Sequence, residues 1–164
     1  MFERFGDLPL HVLVIHLAVL VLPVAALVAI AHALLPKWRW LLRWPTLLLG
    51  LGAVVVAYVA KESGEAFVAA VPQLQPLVKT HQDRGNLLFW FVLAFAVLAV
   101  AAFLLLGGPT ALASGKGAKA TKSRPLELVT SAAIVVIGIL VIYQTIRTGD
   151  SGAKAVWDGQ LPAK

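Results

Sequence analysis

From Leu8 to Pro36 the chain reads LPLHVLVIHLAVLVLPVAALVAIAHALLP, without a charged side chain and with three of the four histidines in the sequence. A bilayer's hydrocarbon core is crossed by about 20 apolar residues at about 1.5 Å rise each, and this stretch is longer than that. An imidazole inside such a segment is costly unless it faces protein, water or a ligand. The stretch therefore fixes the class of the molecule and holds most of its chemistry.

Composition agrees. The 164 residues are 60% hydrophobic and only 13% charged, where soluble domains run near about a quarter charged. The chain reads as an all-α polytopic membrane protein, a single domain over 1–164. There is no cysteine, which excludes disulfides, thiolate metal sites, c-type haem attachment and cysteine nucleophiles. No Gly-rich phosphate loop, G-x-S-x-G or H-E-x-x-H is present, so no catalytic residue is assigned and an enzyme is not expected. The net charge of +6 reads as topology rather than nucleic-acid binding. The mixed-charge start MFERFGD and the long first apolar run predict a retained span, not a removable signal.

Four spans follow, at about 9–35, 44–62, 81–106 and 125–148, in an antiparallel four-helix transmembrane bundle. Asp7 is the expected N-cap of the first and Pro23 its expected kink. Lys37, Arg39, Arg43 and three tryptophans mark a membrane interface after it. In the second span Gly50, Ala53, Ala57, Ala60 and Gly64 form a small-residue seam suited to close helix packing. Pro72 and Pro76 predict a short interfacial helix and an extended linker, with Thr80 and Asp83 capping the third span. Gly149 is the expected C′ of the fourth. The segment 110–123 reads as a flexible cytoplasmic loop. No internal repeat is legible.

The first link and the 3–4 loop carry seven Lys/Arg against one acid, Glu127, whereas the seven on the other side are diluted and matched by seven acids. The positive-inside rule puts both termini outside the cytoplasm. On that same side gather His11 and His16 of the first span, Glu62, Ser63 and Glu65 after the second, His81 of the third, and Gln144 with Arg147 of the fourth. His11 and His16 point about 140° apart on an ideal helix, so they cannot share one metal as a chelating pair. His11 and His32 lie on one small-residue face with Ala18 and Ala25. His16 sits deeper, where an imidazole needs a partner, with Gln144 or Glu62 available. A first-span histidine, His16 or His11, and His81 can stand as opposed axial ligands of a b-type haem, because bundles build cofactor sites between facing helices. A solvated His81, an interfacial His11 and a packed His32 are the non-functional readings of the same residues. Glu62 and Glu65 read as a solvated pair.

The opening LPLHVLVIHLAVLVLP, Ser63-Gly64, the run His81 to Gly85 and the ending TGDSGAKAVW together resemble a bacterial family of four-helix membrane proteins catalogued as domain of unknown function 2231. The resemblance covers nearly the whole chain and carries over His11, His16, Gly64, His81 and Gly152. Val12 and Leu17 depart from it, where proline and an aromatic are common. It implies a fold and a location without an activity. Through relatives fused to Rieske or c-type cytochrome domains it implies a respiratory redox setting. The expectation is a small haem-binding protein of the bacterial plasma membrane, facing the extracytoplasmic side, with lipid, redox membrane proteins and copies of itself as partners. The alternative is a non-catalytic structural subunit of a larger complex.

Overall fold

The computed structural model of the chain describes residues 4–106 and 124–157. Four long helices, α1 (Leu10–Leu34), α2 (Arg39–Ala70), α3 (Gln75–Leu105) and α4 (Arg124–Trp157), make up nearly all of it. Successive helices pack side by side, and α4 closes back on α1 to complete the ring. All four are long and apolar enough to cross a membrane. The segment expected to be a flexible loop, 110–123, lies outside the described residues.

The interior is made of small side chains and the exterior of large ones. Ala25, Ala26, Ala29, Ala53, Ala57, Ala96, Ala99 and Ala102 are buried, whereas Leu20, Trp90, Val97 and Ile146 are more than half exposed. That inversion suits a bundle whose outside meets acyl chains, because helix association in lipid depends on close packing rather than on escape from water. The seam on α2 shows it. A Cβ on Gly50 would stand 2.7 Å from the Cβ of Ala99, so α2 and α3 approach as closely as they do only because that atom is missing. Gly138 allows the same between α4 and α1, where a Cβ would meet Ile30 at 3.1 Å.

Several helix ends differ from expectation. Asp7 is not an N-cap: it follows Gly6 in the loop of a two-residue-per-strand hairpin, β1 (Arg4–Phe5) with β2 (Leu8–Pro9), and α1 starts after Pro9. Gly6, at φ +61°, supplies the conformation such a tight loop needs at its first position. α2 continues to Ala70, and only a 3-10 turn, Pro72–Leu74, separates it from α3. Pro76 falls in the first turn of α3, where its missing N–H costs nothing. Thr80 and Asp83 are therefore inside α3 and cap nothing. Gly149 is inside α4, which runs on to Trp157. For α2, α3 and α4 hydropathy marked the limit of the apolar stretch and the helix runs past it, whereas α1 begins two residues inside its own.

At the end where α1 meets α2, Arg39 is buried and joins three helices. Its Nε and Nη2 donate to the carbonyls of His32 and Ala33 at 3.3 Å each, and its Nη1 lies 3.4 Å from Glu127 Oε2. Carbonyls left over at the end of α1 are thereby satisfied.

Candidate functional site

At the opposite end α1 starts level with the far part of α2. His11, in the first turn, places its Nδ1 3.0 Å from the carbonyl oxygen of Ala60 and 3.3 Å from Ser63 Oγ. The second hairpin repeats this. His81 of α3 places Nδ1 2.9 Å from the carbonyl oxygen of Thr148 on α4. A carbonyl oxygen only accepts, so each Nδ1 carries the hydrogen. A neutral ring held in this way keeps its lone pair on Nε2. Neither Nε2 has a hydrogen-bond partner among the described residues.

Both rings lie against glycine. A Cβ on Gly64 would stand 3.0 Å from Cε1 of His11, and one on Gly152 would stand 3.0 Å from Cε1 and Nδ1 of His81. Each anchoring carbonyl also accepts from the serine three residues on, Ser63 to Ala60 at 3.1 Å and Ser151 to Thr148 at 2.8 Å. Both serines are buried. The two imidazoles meet across the bundle, ring centres 6.2 Å apart and planes at 72°.

A cavity of about 690 Å³ surrounds the pair, reaching inward to Leu22 and Leu88 and outward to Phe67 and Trp157. Its charged lining residues other than histidine, Lys61 and Glu65, bind each other at 2.7 Å. Lys61 also contacts Glu62 at 3.3 Å, so the two glutamates serve one lysine rather than forming an acid–base pair. Among the described residues no cluster of three or more His, Cys, Asp or Glu could hold a bare metal ion.

The histidines expected at one site are sorted by the helix. His11 and His81 come together. His16 is exposed and lines only the cavity, and its Nδ1 donates to Val12 of its own helix at 2.6 Å. With His11 turned inward, the 140° offset turns His16 out. Gln144 is not its partner: its Nε2 donates to the carbonyl of Arg84 at 3.3 Å. His81 is the seventh residue of α3, clear of the helix end, and its ring is held by the bond with Thr148. His32 is wholly buried with both ring nitrogens unpaired, and stands about 30 Å along α1 from His11.

Residue-type reasoning missed the carbonyls of Ala60 and Thr148, which every residue possesses, and Ser151. A signal for them does exist. Glu62-Ser63-Gly64 and Asp150-Ser151-Gly152 are the same acid-Ser-Gly triplet, one on the second helix of each hairpin. The triplet is legible in the sequence as three residues and no more; the packing of each hairpin gives it a role.

The profile of a family described as predicted membrane protein, DUF2231, matches residues 7–164. No curated protein and no solved structure matches the chain.

Proposed function

Since the chain belongs to the DUF2231 family of predicted membrane proteins, and so works within a bilayer, we propose that it is a small electron carrier binding a b-type haem between His11 and His81. One observation carries the reading: two imidazoles, each pinned through Nδ1, with unbonded Nε2 atoms and ring centres 6.2 Å apart. His11 and His81 would hold the haem iron through their Nε2 atoms, and the spacing of their ring centres leaves room for one metal ion between them. The cavity beside them, 690 Å³ and mostly apolar, suits a flat hydrophobic macrocycle. A haem there would supply one-electron chemistry, with its potential set by His11 and His81 and the hydrogen bonds that hold them. The chain's own part is to orient both rings, keep Nε2 free of hydrogen, and exclude water with Leu22, Leu88 and Phe89. It makes and breaks no substrate bond. Lys37 with Arg39 and Arg43 at the start of α2 argue that the histidine end faces away from the cytoplasm of a bacterial plasma membrane. Respiratory membrane proteins are the electron partners this reading expects.

The test is an absorption spectrum of detergent-purified protein made with haem supplied. A Soret band lost in His11→Ala and in His81→Ala, and kept in His16→Ala, is the expected result. A haem-replete preparation without that band overturns the proposal. The small-residue seams would then favour an accessory subunit of a larger complex, which copurification from its own membrane would reveal.

A further inference from the structure

Each histidine is held by the same local device on its neighbouring helix. The carbonyl at position n takes the Nδ1 hydrogen, the serine at n+3 donates to that same carbonyl, and the glycine at n+4 leaves room for the ring. In the first hairpin these are Ala60, Ser63 and Gly64; in the second, Thr148, Ser151 and Gly152. A serine bonding back to its own helix is ordinary. Two buried serines at one offset beneath two facing histidines, each followed by a glycine in ring contact, are not accounted for by that habit alone.

We infer that Ser63 and Ser151 are positioning residues of a twinned half-site, setting how strongly each carbonyl pulls on Nδ1–H and thereby how strongly each Nε2 donates its electron pair. This rests on the reading of His11 and His81 as a ligand-binding pair and names the ligand's class: an electron-pair acceptor with two opposed open positions. A ligand needing hydrogen-bond donors from these rings finds none, because both hydrogens are spent on carbonyls. A carbonyl shared between two donors binds each more weakly than one serving a single donor. Removing the Ser151 hydroxyl therefore tightens the His81 bond and makes that imidazole a stronger donor. Ser63 Oγ also stands 3.3 Å from Nδ1 of His11, so its removal takes away a minor acceptor together with the competing donor, and the shift at His11 is the smaller of the two.

The test is nitrogen NMR of the full chain, ¹⁵N-labelled at histidine, in lipid nanodiscs. In the unsubstituted protein His11 and His81 are expected as neutral Nδ1–H rings. Ser63→Ala shifts the Nδ1–H signal of His11 downfield and leaves that of His81; Ser151→Ala does the reverse. Ser63→Thr and Ser151→Thr, which keep the hydroxyl, restore the original signals. Where haem is bound, each alanine variant lowers its reduction potential and each threonine variant returns it. Hydrogen found on Nε2, or alanine variants that leave Nδ1–H in place, overturns the inference. So does movement of both rings together by either substitution, since that reports general loosening. These signals do not require haem, so a protein that shows no Soret band but the expected shifts loses only the haem reading.

Discussion

At Gly64 and Gly152 a single hydrogen atom separates a histidine that lies flat on its neighbour from one that is pushed away. A methyl group at either position would need its ring to retreat by a few tenths of an ångström, stretching the bond from Nδ1 to its carbonyl. Gly64→Ala and Gly152→Ala are each expected to weaken haem retention by about 10–100-fold, the usual loss when a ligand's outer support goes, as read by titrating haem into purified protein. His32 gives the opposite expectation. Its buried ring nitrogens have no partner, and an unpaired buried polar atom costs about 1–3 kcal/mol. His32→Leu should thus leave thermal stability in detergent unchanged or raise it, whereas His32→Ala lowers it by opening a hole. Depth along the sequence was enough to bring His11 and His81 to one end. The distinction between His11 and His16 was half legible: their angular separation was calculable and His11 shared the small-residue face that the bundle turns inward, but its bond to Ala60 goes to a backbone atom no residue pattern announces.

Among the elements, α2 bears both a glycine-mediated close approach and a buried arginine that ties three helices. Gly50→Ala forces its Cβ against that of Ala99, which sits 2.7 Å away, and should cost about 1–3 kcal/mol through separation of α2 from α3. A lower unfolding midpoint in detergent, with the haem spectrum kept, checks this. Arg39→Ala at the start of the same helix leaves Glu127 and the carbonyls of His32 and Ala33 without their present donor. Loss of about 2 kcal/mol or more is expected there, on the same measurement. Span existence was plain from hydropathy, and the seam at Gly50, Ala53 and Ala57 was plain from spacing. Helix ends were not, because Pro72 and Pro76 look like breakers in sequence and act as first-turn residues in the structure. The continuations of α2 and α4 are broken up by charged and small residues and so fall short of an apolar span, yet Gly152 lies on one of them.

For the molecule as a whole, the distribution of basic residues predicts that both ends of the chain lie outside the cytoplasm. Alkaline phosphatase, which is active only after export, should be active when fused after Trp157 and inactive when fused between residues 107 and 123. The reverse pattern would move the histidine end to the cytoplasm. Class and number of spans follow from composition and apolar length, whereas the likeness of the two halves emerges only when each hairpin is seen holding its own histidine. That likeness also bears on chain order. Each hairpin completes its own support from its own two helices, and α4 lies beside α1 with β2 and Trp157 at the same end. Linking the present ends and opening the chain beyond Leu106 would write the hairpins in exchanged order, and the bundle should assemble from that permuted gene as it does from this one.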